Sequence, residues 1–429
     1  MLERLFGLSA HGTNVRTEVM AGATTFLTMA YIIFVNPEIL AAAGMPKEAV
    51  FVATCLAAAL GSAIMGLYAN YPIALAPAMG LNAYFAFTVV GSLGFTWQTA
   101  LGAVFLSGLL FIFVSLFRLR EAVVNAIPRS LKFSISAGIG LFLAIIGLKN
   151  AGLIAAHPAT LLTLGDLHQP GTLLAIAGFM LIVALEQRRT PGAIIIGVLA
   201  VTVASMLLGL TPYHGLVAAP PSIAPTFLQM DIAGALHAGL LTVVMTFFLV
   251  ELFDASGTLV GVCHRAGLLD ADGRLPRLKR ALLADSTAIT AGALLGTSST
   301  TAYIESAAGT AVGGRTGLTA VVVALLFLAA LVFAPLAGVV PAYATAPALC
   351  YVAVLMIRGL AEIDWNDLTE AAPAVVTAIT MPFTFSIAHG IAFGFVSYAA
   401  IKLLAGRRRD LSPMVAAIAV VFVLKFAFL

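Results

Sequence analysis

The sequence predicts an all-α membrane protein that crosses the bilayer many times, and three observations predict it. Of the 429 residues 61% are hydrophobic and only 10% are charged, too little polar surface to cover two or three soluble domains. Apolar runs of about 17–25 residues, long enough for a hydrocarbon core of roughly 30 Å, recur along the whole chain. Basic residues collect in alternate loops between those runs, the pattern expected of cytoplasmic loops.

In order, the runs fall near residues 19–36, 48–68, 74–90, 98–117, 130–149, 171–187 and 191–210. The stretch TPYHGLVAAPPSIAPTF follows, and its prolines and glycine read as a loop. Seven further runs lie near 236–262, 281–296, 300–313, 317–335, 342–358, 371–387 and 388–404. The first run is preceded by Arg4 and Arg16 and lacks a small-residue cleavage site, so it reads as a retained span and not a signal peptide. Residues 371–404 would be about 50 Å long as one helix at 1.5 Å per residue, so two short helices are expected, meeting near His389-Gly390. MVAAIAVVFVLKFAFL is a surplus apolar segment, and Lys425 within it leaves spanning and interfacial placements open.

With the N-terminus inside, Arg118, Arg120, Arg129, Arg188, Arg189, Arg265, Arg274, Arg277, Lys279, Arg280 and the GRRR run at 406–409 all fall on the cytoplasmic side. Seven spans per half make the second half enter the membrane in the opposite sense, the arrangement of inverted repeats. The third and tenth runs, IALAPAMGLNAYFAF and GTSSTTAYIESAAGTAVGG, are short, broken by Pro or Gly, and polar at their centres. Interrupted segments in matching positions of two halves point to a binding site near the membrane midplane.

Cys55, Cys263 and Cys350 lie far apart in or beside apolar segments, which argues against a disulfide framework and against a metal site. No cofactor is expected. The net charge of +3 comes from loop Lys and Arg and reports orientation, not a nucleic-acid partner.

A charge at mid-membrane costs at least about 2.5–3.5 kcal/mol on insertion scales, so acids there line a cavity or a protein interior. Glu251 and Asp254 in the eighth run, Asp285 in the ninth and Glu305 in the tenth are the acids in question. Each also has a structural reading, as a helix cap or as an acceptor for neighbouring hydroxyls. Glu251 and Asp254 are three apart, nearly one helical turn. Asp254 and Glu305 stand out because Gly, Ser and Thr surround them in what read as interrupted runs. The hydroxyl residues Thr297 to Thr301 are expected to satisfy backbone groups where the tenth segment is not helical, or to cap a half-helix.

APAMGLNAYF, VELFDASGTLVGV, ALLADSTAITAGALLGTSSTTAYIESAAGTAVGGRTGL and AGATTFLTMAYIIFVNPEIL together resemble the nucleobase/cation symporters, in the branch of adenine/guanine/hypoxanthine permeases. The resemblance covers essentially the whole chain. It implies fourteen transmembrane segments in seven-plus-seven inverted repeats with the uracil-permease-like fold. A core domain would comprise residues 14–117 and 236–336, and a gate domain residues 118–235 and 337–429. It also implies proton-coupled uptake of a purine nucleobase, a homodimer formed through the gate, and a multi-pass place in the plasma or inner membrane.

Carried over to this sequence, the resemblance places the ligand carboxylates on Asp254 and Glu305, a third-segment pair on Gly80 and Asn82, and a coupling acid on Asp285. Tyr303 matches an aromatic that precedes the tenth-segment acid in the uracil-permease branch. Asp254 is followed by Ala255, where uracil and xanthine members have Glu followed by His, and this departure weighs against those substrates.

The chemistry of a flat purine, edged with N–H donors and ring-nitrogen acceptors, suits such a site. Carboxylates accept only, whereas the Asn82 amide does both, and an acid facing paired N–H donors makes charge-assisted bonds. Phe26, Tyr31, Tyr84 and Phe253 are candidate stacking partners, and Thr258 is a further candidate contact. Coupling needs a group that changes charge, and two carboxylates close together in a low-dielectric site favour holding a proton. Asp285 and Glu251 are the candidates, with Asp254 and Glu305 as possible sharers. One proton moving through about 100 mV supplies roughly 2.3 kcal/mol. A membrane enzyme would also bury acids, but metal-ligand spacings such as H-E-x-x-H do not occur in the chain. A channel would repeat its acids as a ring, and here they sit on different segments.

Overall fold

The computed structural model describes residues 2–116, 127–158, 160–212, 215, 217–236, 238–270 and 275–428. Within these, the side chains at 238–240, Phe253, Ser256, Arg265, Ala337, Lys425 and Phe428 are left aside. Arg118, Arg120 and Arg274 lie outside the described residues, as do the side chains of Phe253, Arg265 and Lys425.

The chain forms two compact units, one of residues 1–116 and 150–348, the other of residues 117–149 and 349–429. In the first, α1 (Val15–Met29) and α2 (Ile32–Ala41) together form the first long apolar element, and α3 (Lys47–Ile64) continues into a π-helical turn at Met65–Ala69. The third segment opens as strand β1 (Leu75–Pro77), then coils into α4 (Met79–Ala83) and a π-helical stretch at Tyr84–Ser92. Next come α5 (Trp97–Leu116) and α6 (Arg129–Asn150), of which α6 lies mostly in the second unit, and an outlying hairpin of β2 (Ile154–His157) and β3 (Leu161–Leu164). They are followed by α7 (Pro170–Gln187), α8 (Ala193–Leu207), α9 (Ala238–Arg265) and α10 (Leu278–Leu295). Strand β4 (Thr300–Ala302), α11 (Ser306–Ala311) and α12 (Gly317–Ala330) complete the part that surrounds the site. The remaining helices are α13 (Ala342–Ile357), α14 (Leu368–Thr384), α15 (Ile387–Leu404) and α16 (Pro413–Phe428).

Nine helical stretches among the described residues are long and apolar enough to cross a membrane. The expected fourteen adds five shorter segments to them: 75–92, α8, α10, 300–311 and α14. The sequence reads residues 247–262 as interrupted, and the structure corrects this. Helix α9 runs unbroken through Asp254 to Thr258, because Gly257, with open space around it, costs only about 1 kcal/mol in a helix interior.

The interrupted third and tenth segments meet as an antiparallel pair, with Leu75 opposite Ala302, Ala76 opposite Thr301 and Pro77 opposite Thr300. Extended backbone at membrane depth must find its partners within the protein. The two strands provide them for each other, so the hydroxyl run at Thr297 to Thr301 is not the main source of those bonds. The ladder is lengthened by Ala78 N–H to Ser299 O at 2.8 Å and by Tyr303 N–H to Ala74 O at 3.0 Å. Its pleat is tied back to α3, where Ser62 Oγ accepts from Leu75 N–H at 2.9 Å.

Helix starts follow local chemistry. Asn14 caps α1 by accepting from Thr17 N–H at 3.0 Å, the short-polar N-cap preference. Glu18, on the next turn and fully buried, reaches the head of α12. It accepts from Arg315 N–H at 2.8 Å, Thr316 N–H at 3.3 Å, Thr319 N–H at 3.2 Å and the Thr319 hydroxyl at 2.6 Å. One carboxylate thus satisfies donors that a helix N-terminus leaves without intrahelical partners and complements its dipole. Below it Gly317 faces Gly66 so closely that an added Cβ would sit 1.9 Å from Gly66 O.

In the second unit, α14 and α15 form a tight antiparallel pair. The break between them is at Phe385-Ser386, not at the expected His389-Gly390. Phe385 adopts a left-handed φ of 53°, and Ser386 then starts α15 by accepting from His389 N–H at 3.3 Å. His389 therefore sits in the first turn of α15. Gly390 and Gly394 let α14 approach, since a Cβ at either would lie 2.1 Å from the Met381 or Thr377 side chain, the small-residue packing common between membrane helices. At the far end buried Lys402 pairs with Glu370 at 2.7 Å and donates to Thr369 Oγ1 at 2.7 Å. Helix α16 packs on α15 through Phe422 and Phe395, ring centroids 6.4 Å apart, and exposes Val420, Val421, Val423 and Leu424.

Candidate functional site

The crossing of β1 and β4 is the feature around which the polar side chains gather. Each strand is followed at once by a short helix, α4 after β1 and α11 after β4, so the third and tenth segments both change from extended to helical near one place. Helix α9 packs against β4 and α11, which carries Asp254 to the same region.

Glu305, at the start of α11, accepts from the Tyr31 hydroxyl at 2.6 Å. Tyr303, two residues earlier, donates to the carbonyl of Pro77 on the opposite strand, locking β4 to the end of β1. Asp254 is within electrostatic reach of both Asp285 and Glu305, and Tyr303 of both Glu305 and Asp254. Asp254 is exposed to water-sized contact, whereas Asp285 is wholly buried. A cluster of carboxyl groups with two tyrosines at its edge is the result.

Asp285 on α10 is held as an anchor. Its Oδ1 accepts from the Thr301 hydroxyl at 2.8 Å and from Ala302 N–H at 2.9 Å, fixing the strand that leads to Tyr303 and Glu305. Asn82, at the end of α4, is also wholly buried and donates through Nδ2 to Asn36 Oδ1 at 2.6 Å. Gly80 lies in the first turn of α4.

Other expected residues make contacts of their own. Glu251 is wholly buried and accepts from Ser107 Oγ of α5 at 2.7 Å, so the two acids of α9 divide: Glu251 serves the α5 contact and Asp254 the cluster. Phe26 packs edge-on against Phe327 of α12 with centroids 5.1 Å apart, and Tyr84 does the same against Phe247 at 5.1 Å. Thr258 is buried one turn beyond Asp254. Among the described residues no group of three or more His, Cys, Asp or Glu side chains is placed to hold a metal ion.

Sequence reasoning missed three roles. Tyr31 is a hydrogen-bond donor to Glu305, where only stacking was expected of it. Asn36 links Asn82 to Thr54 and Thr297, and an Asn before Pro37 inside an apolar run was the available signal. Glu18, an acid at the head of the first span, was the equivalent signal for the α1–α12 tie.

Fold and site together define a multi-pass membrane transporter with a polar centre built from crossed, half-extended segments. Comparison with known proteins makes this specific: residues 16–393 match the family model described as the permease family, and the chain belongs to that xanthine/uracil-type permease family. The sequence is 53% identical over its full length, and over 96% of the relative's, to the adenine permease AdeP of Escherichia coli. It is 46% identical to the guanine/hypoxanthine permease PbuG of Bacillus subtilis, with both chains covered entirely. Among solved structures it is similar to the transmembrane domain of the cyanobacterial bicarbonate transporter BicA. The TM-score is 0.65 at 17% identity, covering 90% of this chain and 97% of that one. A murine Solute Carrier 26 anion transporter in the inward-facing state gives a TM-score of 0.63 at 11% identity, covering 91% of this chain and 68% of that one. These structural likenesses speak for the fold alone. Permease membership removes the membrane-enzyme alternative.

Proposed function

We propose that the protein takes up purine nucleobases, adenine and guanine or hypoxanthine among them, coupled to protons and by alternating access. The observation that carries the reading is the convergence of Asp254 and Glu305, with Tyr303 and Tyr31, at the crossing of β1 and β4. Names of relatives that match along the full chain support the purine class. In this reading the base binds between the third, eighth and tenth segments, its N–H edge toward the carboxylates and an acceptor edge toward the tyrosines. Gly80 leaves room beside the base, and Asn82 completes the polar rim.

The proton is assigned to the acidic group formed by Asp254, Glu305 and Asp285. The anchoring of Asp285 by two donors favours the first two as the groups that change charge. Glu251, bonded to Ser107, is assigned a supporting role. Fourteen spans, the core and gate division at 118, 236 and 337, dimerisation through the gate, a cytoplasmic N-terminus and a plasma-membrane location complete the proposal.

The test is uptake of radiolabelled adenine, guanine, hypoxanthine, xanthine and uracil into cells, with and without a protonophore. Purine uptake abolished by the protonophore is expected. Uptake indifferent to it would overturn proton coupling, and uracil or xanthine alone as substrate would overturn the purine reading. Glu305→Gln and Asp254→Asn are expected to abolish or reshape uptake at unchanged surface abundance, and normal transport in both would overturn the site.

A further inference from the structure

We propose that Asn36 is a positioning residue: a hydrogen-bond relay from Val50 through Thr54 and Asn36 fixes the Asn82 amide so that its carbonyl oxygen is turned away from Asn36 and held as an acceptor for the base. The inference rests on the reading of Asn82 as a base contact, and its test separates the two.

Donor counting gives the relay its direction. The Thr54 hydroxyl donates to Val50 O, four residues back on α3, at 2.6 Å. A hydroxyl has one proton, so toward Asn36 the Thr54 oxygen can only accept. Asn36 therefore turns its Nδ2 outward, donating to Thr54 Oγ1 at 2.7 Å and Thr297 Oγ1 at 2.9 Å, which uses both amide protons. Its Oδ1 is left for Asn82, which answers with Nδ2 at 2.6 Å. Rotating the Asn82 amide by half a turn would set two buried carbonyl oxygens against each other.

Asn36, Thr54, Asn82 and Thr297 are all 0% exposed, so bulk water is not at hand to reverse the order. The chain of bonds ends on Asn82 Oδ1, which is buried and has no hydrogen-bond partner among the described residues. Buried polar atoms are nearly always satisfied, and a fixed orphan acceptor is the group that an N–H of a planar heterocycle would complete. A free asparagine amide presents donor and acceptor with equal ease. Here a hydroxyl on a different helix, Thr54, has fixed which end of the amide faces Asn36, and the carbonyl oxygen is held as an acceptor for an N–H edge.

The experiment measures KM and maximal uptake of labelled adenine, guanine and hypoxanthine, normalised to surface abundance, in Asn82→Ala, Thr54→Val, Thr54→Ser and Asn82→Ala/Thr54→Val. Thr54→Val keeps the shape but frees Asn36 to turn, so KM for the preferred base is expected to rise roughly fivefold with maximal uptake held, the fold-change for a hydrogen bond worth about 1 kcal/mol. Thr54→Ser restores the hydroxyl and is expected to restore KM. The double variant is expected to match Asn82→Ala alone, because coupled residues fail to add. An unchanged KM in Thr54→Val, or effects that simply add, would overturn the relay while leaving Asn82 in the site. An unchanged KM in Asn82→Ala would overturn Asn82 as a base contact and the relay with it, leaving purine uptake itself standing.

Discussion

Replacing Asp285 separates a structural acid from a coupling one. In Asp285→Ala both bonds from Oδ1 disappear, leaving the Thr301 hydroxyl and the Ala302 N–H without that acceptor inside a wholly buried strand. Hydrogen bonds to a charged group are worth about 1.5–3 kcal/mol each, so the two sum to about 3–6 kcal/mol, a large part of a typical stability of about 5–15 kcal/mol. At about 2 °C per kcal/mol, thermal unfolding of the detergent-purified protein should fall by roughly 6–12 °C. Asp285→Asn keeps an oxygen for both donors and removes only the charge, so its unfolding temperature should fall by less than half as much. Paired measurements of unfolding and protonophore-sensitive uptake are the assay. An Asp285→Ala protein as stable as the parent would refute the anchoring argument. An Asp285→Asn protein that folds and transports but no longer heeds the protonophore would return the proton to Asp285.

Three further predictions follow from the structure. Glu18→Ala should destabilise the protein at least as much as Asp285→Ala, as it strips four hydrogen bonds from the head of α12, whereas Glu18→Gln should cost less; differential scanning fluorimetry checks the order. Gly317→Ala should lower the unfolding temperature more than an alanine at Gly257, because its Cβ meets Gly66 backbone at 1.9 Å while Gly257 has open space, and overpacking costs about 1–3 kcal/mol or more. The Asp367 carboxyl, held at about 2 by the Thr369 and Arg407 hydrogen bonds, lies below an unfolded value of about 3.9. Its contribution is therefore complete above pH about 4 and lost only as pH falls through about 2; a carboxyl-carbon NMR titration with a midpoint near 4 would contradict it.

Much of the architecture was legible because lipid imposes a blunt rule. Backbone polar groups must be satisfied within the protein, which favours helices, so run length and punctuation located the long apolar helices, and Pro, Gly and hydroxyl residues betrayed the third and tenth segments as broken. The resemblance to nucleobase permeases picked out Asp254, Glu305, Asn82 and Tyr303 before any contact was known. Local signals misled where packing overrode propensity. Gly257 sits in a continuous helix because its neighbours carry the turn, and the α14–α15 break falls at Phe385, where a left-handed residue and a serine cap act together, instead of at His389-Gly390.

Sequence by itself determined that this chain is a multi-pass permease and which acids stand within its apolar runs, because burying a charge in hydrocarbon is costly enough to leave a mark in composition. Only the tertiary structure decided what each polar group does there. It paired β1 with β4 across 225 residues of chain, gave Asp285 to Ala302 and Thr301, gave Glu251 to Ser107, and gave Tyr31 to Glu305. Hydrogen bonds act over about 3 Å, and partners so distant in sequence leave no periodicity for that sequence to display.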